Sequence, residues 1–111
     1  MLKLNMLLRL SDVLDFSKVT RGESIRVRTD QDDESCSITD MCLVADDRIV
    51  VVDHANLSVK LLDVTTGQVL HRLQLQDKPL GVCRMSGDRV AITLLRPGGI
   101  QVSFFTFTIN I

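Results

Sequence analysis

Apolar and polar positions alternate through much of the chain after residue 37, with the period of two that sends successive side chains to opposite faces of a strand. In 58–64, Val59, Leu61 and Asp63 share one face and Lys60 lies on the other. By this pattern Leu61→Asp should unfold the unit, whereas Lys60→Asp should be mild. Residues 38–44 form an apolar-rich run that stops at Ala45-Asp-Asp47. Residues 48–53 are rich in β-branched side chains, which favour strands. Thr65-Thr-Gly67 has the composition of a turn, because Gly takes positive φ without steric cost. The pattern predicts strands near 38–44, 48–54, 58–64 and 68–75, then 80–85, 89–94 and 100–108, with an earlier one at 24–29. In residues 1–19, Leu4, Leu7, Leu8 and Leu14 suit a helical face as well as a strand.

The strands repeat. Asp40 to Val52 laid over Gly81 to Thr93 places Cys42 on Cys83, Asp47 on Asp88 and Arg48 on Arg89, an offset of 41 residues without a gap. At the same offset Val59-Lys-Leu61 falls on Ile100-Gln-Val102. A fainter match sets Thr20 to Ile25 on Thr65 to Leu70 at an offset of 45, the extra residues falling in an acidic stretch at 31–34. Four strands in roughly 40 to 45 residues is the period of a propeller blade. The expected fold is therefore all-β. It is an incomplete β-propeller with one full four-stranded antiparallel blade at 38–75, a following partial blade at 79–108 and the last strand of a preceding blade at 24–29. Residues 20–111 form this partial propeller, and 1–19 precede it as a separate segment.

Asp47-Arg-Ile-Val-Val-Val-Asp53, followed by Asn56 and a second strand ending at Asp63, resembles an NHL-type repeat. Thr65 to Leu70 is similar to the last hairpin of WD-type blades. Together they resemble the C-terminal propellers of invertebrate tripartite-motif proteins. The resemblance implies structural turn and repeat roles for Asp47, Arg48, Asp53, Asn56, Gly67, Asp88 and Arg89. It also implies a protein-recognition surface, and for some NHL propellers an RNA-binding face. The RING, B-box and coiled-coil segments of such proteins are absent from these residues, so the resemblance implies no ubiquitin-ligase chemistry here. Two departures stand out: Asp46-Asp47 occupies the place of a usual Gly, and Leu94 to Gly99 replaces the Asp and Asn in the second copy.

Composition narrows the function. The net charge is −1, which supplies no field to draw nucleic acid or an anionic membrane. No stretch reaches the roughly 20 apolar residues of a membrane span. Residues 1–10 carry Lys3, Asn5 and Arg9 and do not read as a secretory signal. The three cysteines, Cys36, Cys42 and Cys83, have neither metal-site nor disulfide-framework spacing, which fits a reducing cytoplasm. Cys42 and Cys83 read as buried packing thiols, with a redox pair as the alternative. An acidic loop beside Cys36 should raise its pKa.

Asp53-His54 is the one acid–base dyad on offer, with His71 as a second titrating group. No nucleophile accompanies it, and Asp53 reads instead as a local cap on backbone N–H groups. Asp30 to Glu34 reads as a solvated acidic loop and not as a cation site. Lys18, Arg21, Arg26 and Arg28 make the best basic patch for a partner or RNA, although the chain has no Tyr or Trp for base stacking. The expectation is a non-catalytic protein-interaction module with no cofactor, no metal and an unidentified protein partner. RNA binding is the first alternative and a propeller hydrolase the second. Incomplete blades also leave open edges for self-association or aggregation, and the uncharged run at 104–111 suits both.

Overall fold

The computed structural model describes residues 24–107, and all the regular structure among them is strand. Four strands form one antiparallel sheet: β1 (Ile38–Ala45), β2 (Arg48–Asp53), β3 (Ser58–Asp63) and β4 (Gln68–Gln74). A second sheet holds β5 (Lys78–Arg84), β6 (Arg89–Arg96) and β7 (Gly99–Thr106). Each sheet is a meander in chain order, and residues 75–77 carry the chain from the outer edge of the first, β4, to the inner edge of the second, β5. Because β5 packs beside β1 and β2, the two sheets stand side by side as successive blades.

Local chemistry sets the hairpins. Asp63 Oδ1 accepts the N–H groups of Thr65 at 2.8 Å and Thr66 at 3.1 Å, and Gly67 turns at φ +73°. That carboxylate-capped turn fixes the β3–β4 register. In the second sheet Arg96 pairs with Gly99, so Pro97-Gly98 alone closes β6–β7, with Gly98 at φ +90°. Proline followed by a positive-φ glycine suits a tight type II turn. The corresponding loop of the first sheet has four residues, His54 to Leu57, between the paired Asp53 and Ser58.

This difference corrects the repeat. Val52 pairs with Val59, but Thr93, the repeat mate of Val52, pairs with Val102 and not with Ile100. The structural equivalents of Val59 and Leu61 are therefore Val102 and Phe104. The slip is two residues, so each side chain keeps its face.

The core is the seam between blades. Val50, Val52, Val59 and Leu61 of the first sheet meet Val82, Val90, Ile92 and Leu94 of the second. Polar bonds tie the inner ends of the two blades. Thr39 Oγ1 donates to Leu80 O at 2.9 Å, and Asp40 Oδ2 accepts from Val82 N–H at 2.9 Å. A Cβ on Gly81 would lie 3.2 Å from Asp40 Oδ2 and 3.3 Å from Thr93 Oγ1, so glycine allows this close approach.

Residues 24–29 are not a strand. They alternate between exposed and half-buried, as an extended chain does, but have no ladder partner among the described residues. Two expectations, a strand or helix in 1–19 and the tail at 108–111, lie outside the described residues.

Ile92 is completely buried in the seam and Val102 is 50% exposed on the far side of the second sheet. Urea denaturation of Ile92→Ala should show a loss of about 2–5 kcal/mol, while Val102→Ala should stay within about 0.5 kcal/mol.

Candidate functional site

The densest polar chemistry lies on the first sheet's face away from the seam. Lys60, in the middle of β3, is completely buried. Its ammonium donates to Asp32 Oδ2 at 2.6 Å, Asp53 Oδ2 at 3.0 Å, the carbonyl of Val27 at 2.8 Å and Cys36 Sγ at 3.5 Å. Arg72 on β4 closes the cluster, with Nε and Nη2 each 2.9 Å from Asp32 Oδ1. Two carboxylates thus meet two cations in a compensated group, the condition under which buried charge persists.

Asn56 fastens the loop to the blade. Its side chain accepts from Glu34 N–H at 2.8 Å, donates to Glu34 O at 3.0 Å and donates to Asp53 Oδ2 at 2.8 Å. Asp53 Oδ1 accepts from Ser37 N–H at 2.9 Å. Asp53 therefore caps a backbone group 16 residues away, across the blade and not within its own turn.

Burial pushes the Asp32 carboxyl upward, but Lys60, Thr29 N–H and Arg72 outweigh it and hold it well below the usual carboxylate range. Burial opposes ionisation of Asp53 as well, yet Ser37 N–H, Asn56 and Lys60 bring it down to about 2. Lys60 is disfavoured as a cation by burial, and the two aspartates more than reverse this and raise its pKa. The Cys36 thiol is raised by burial first and by the neighbouring Asp53 carboxylate second.

This geometry replaces several expectations. Lys60 does not face solvent, because the 24–36 segment lies over that face. The 30–34 stretch is not wholly solvated: Asp32 turns inward and its side chain has no exposure. Asp53 and His54 form no dyad. Asp53 is fully engaged, and His54 Nδ1 lies 3.0 Å from Pro79 O, so it carries the proton donated to that carbonyl. Asp32, Cys36 and Asp53 bring ligand atoms within 4.8 Å of one another, but the Lys60 ammonium already sits among them. A metal ion would have to displace it.

Cys42 and Cys83 are not a facing pair. Cys42 pairs with Val50 and points into the seam, whereas Cys83 pairs with Ala91 and points away from it, exposed. Burial first, then the nearby Cys83 and Asp40, pushes the Cys42 thiol up to about 11. In the basic patch, Arg28 is spent on the carbonyls of Glu34 and Asp32, while Arg26 is exposed. Lys18 and Arg21 lie outside the described residues. Arg48 bridges Asp47 at 2.7 Å and Asp63 at 3.0 Å. Its repeat mate Arg89 instead stacks 5.8 Å from the Phe104 ring centroid, and Asp88 is exposed.

The second sheet's face away from the seam exposes Leu95 at 44%, Ile100 at 57%, Val102 at 50% and Phe104 at 56%. Between the blades lies a groove of 330 Å³ walled by Val59, Leu61, Leu73, Val90, Phe105 and Phe107. The sequence predicted a strand over 100–108, which forms as β7. The buried ion cluster was missed, and its one signal was a lysine inside an otherwise apolar strand, 28 residues from a compact acidic stretch.

A family model described as the WD40 domain of anaphase-promoting complex subunit 4 matches residues 14–96, well over half of the chain. No curated protein matches it. The match carries the WD type of repeat and does not bear on the NHL or tripartite-motif likeness.

Replacing Lys60 strands two buried carboxylates. Lys60→Ala should cost about 3–5 kcal/mol in denaturant titration, and Lys60→Asp should abolish the fold by circular dichroism. The depressed carboxylates stabilise the fold above their unfolded pKa, and that contribution is lost as pH falls through the folded values. Lys60 contributes below its ordinary 10.5, and its share is lost only as pH rises through the raised folded value. Stability should therefore hold steady at neutral pH and decline from the ordinary aspartate value of 3.8 toward about 2. Acid titration of Lys60→Met should show a shallower decline, because Lys60 is one of the groups that depress both carboxyls.

Proposed function

Since the chain belongs to the WD40-domain family of anaphase-promoting complex subunit 4, we propose that it is a non-catalytic protein-interaction module, working in a multisubunit assembly of that kind. The observation that carries this reading is a division of labour among side chains. The clustered charged groups are consumed by internal bonds, while large apolar side chains stand open on one sheet face. Exposed apolar faces of this kind mark contact surfaces.

The contact surface in this reading is the open side of the second sheet, centred on Val102 and Phe104. These residues are the register equivalents of Val59 and Leu61, which are buried against a neighbouring blade. A surface built to receive another sheet face recognises shape and apolar side chains, not a small substrate.

Purified chain should co-elute with purified anaphase-promoting-complex subunits in size-exclusion chromatography. Phe104→Glu, at a half-exposed position, should keep the wild-type circular dichroism spectrum and weaken co-elution at least tenfold in apparent affinity. Undiminished binding by this variant, or none by the wild type, would remove the proposal.

A further inference from the structure

Resting on that reading of the open face, we infer that its occupant is a second copy of this chain, bound head to tail. Residues Ser24–Thr29 of one copy serve as the fourth strand of the other copy's second sheet. Two orphaned elements motivate this. The second sheet has three strands where the first has four, so among the described residues the outer edge of β7 has no ladder partner. The extended Ser24–Thr29 segment likewise lacks one.

The two orphans match. At the 45-residue offset, Ser24–Thr29 falls on Val69–Gln74, which is β4 without its first residue. Its position agrees with its sequence. Residues 24–26 line a cleft with Val64 to Gly67 at the end of β3. His71, the offset mate of Arg26, likewise lines the groove between the blades with Phe107, the register equivalent of Val64. The segment thus lies against the first sheet where the outer strand of a preceding blade would lie, and the described residues hold no other strand of such a blade. A second copy's β5–β6–β7 sheet supplies those strands.

The faces match as well. The open face of the second sheet repeats the face with which the first sheet packs across the seam. On its opposite side the first sheet leaves Met41 57% and Leu43 50% exposed near its inner edge. The repeat mate of Met41 is Val82, which is buried in the seam. The two open surfaces are therefore the halves of a seam like the one inside the chain. Edge chemistry points the same way. Edge strands left to solvent are usually guarded by charge. β4 carries His71 and Arg72, whereas β7 carries no charged residue.

The added strand runs antiparallel to β7, as β4 does to β3. Such a contact joins different surfaces of the two copies, so it closes into a ring or grows as a chain.

A complementation experiment tests this. Val102→Lys/Phe104→Lys blocks the receiving face. Arg26→Pro/Val27→Pro removes two successive ladder N–H groups from the donated segment while keeping the Val27 carbonyl that Lys60 needs. By light scattering the wild type should associate as its concentration rises. Each variant alone should be monomeric, and an equimolar mixture should form a one-to-one dimer. If the variants misfold, amide exchange on the wild type decides. Exchange at Gly99–Thr106 and Ser24–Thr29 should slow together as concentration increases, and concentration-independent exchange overturns the inference. A monomeric wild type, a monomeric mixture, or association by the proline variant alone through paired β7 edges would each overturn it too. A chain that stays monomeric yet binds anaphase-promoting-complex subunits through Phe104 would sink this inference and leave the proposed function standing.

Discussion

A blade is a sheet with two faces, and one neighbour can shelter only one of them. In this chain the first sheet puts Val50, Val52, Val59 and Leu61 against Val82, Val90, Ile92 and Leu94 of the second. Everything else follows from the two faces left over. Apolar area removed from water supplies the driving force for the seam. The inner-end bonds from Thr39 and Asp40 add direction, fixing how one blade sits beside the next.

The two leftover faces meet solvent differently. On the first sheet, the 24–36 segment folds down and is held by charge, with Lys60, Asp32, Asp53 and Arg72 compensating one another. Val51, Lys60 and Leu62 are consequently no more than 1% exposed. On the second sheet nothing among the described residues plays that part, and Val102 and Phe104 stay half in water. The contrast leaves the first sheet's outer face covered except near its inner edge, at Met41 and Leu43, and the second sheet's outer face open.

The repeat shows how one unit can carry two chemistries. In the first copy Asp53 and Asn56 anchor the incoming loop, and in the second their places are taken by Leu94 and Pro97. The ionic clamp becomes an apolar contact across the seam. Arg48 follows the same rule: it pairs with Asp63, while Arg89 rests on Phe104. Shortening the second hairpin to Pro97-Gly98 moved its strand by two residues, an even slip that the buried face tolerates.

Sequence alone determined the elements that depend on local chemistry. The apolar pattern placed eight strands, of which all but 24–29 form, turn residues such as Gly67 separated them, and the 41-residue offset identified the blade. The capping role of Asp53 was legible too, though its partner, Ser37, was not. Only the tertiary structure decided what Lys60, Asp32 and the repeat-mate cysteines Cys42 and Cys83 do. Alternation assigns a residue to a face but is silent on what covers that face. Lys60 therefore read as solvent-facing until a segment about 30 residues upstream was seen lying over it. Charge that is buried through long-range contact leaves no periodic trace, because its cost is met by groups that become neighbours only on folding.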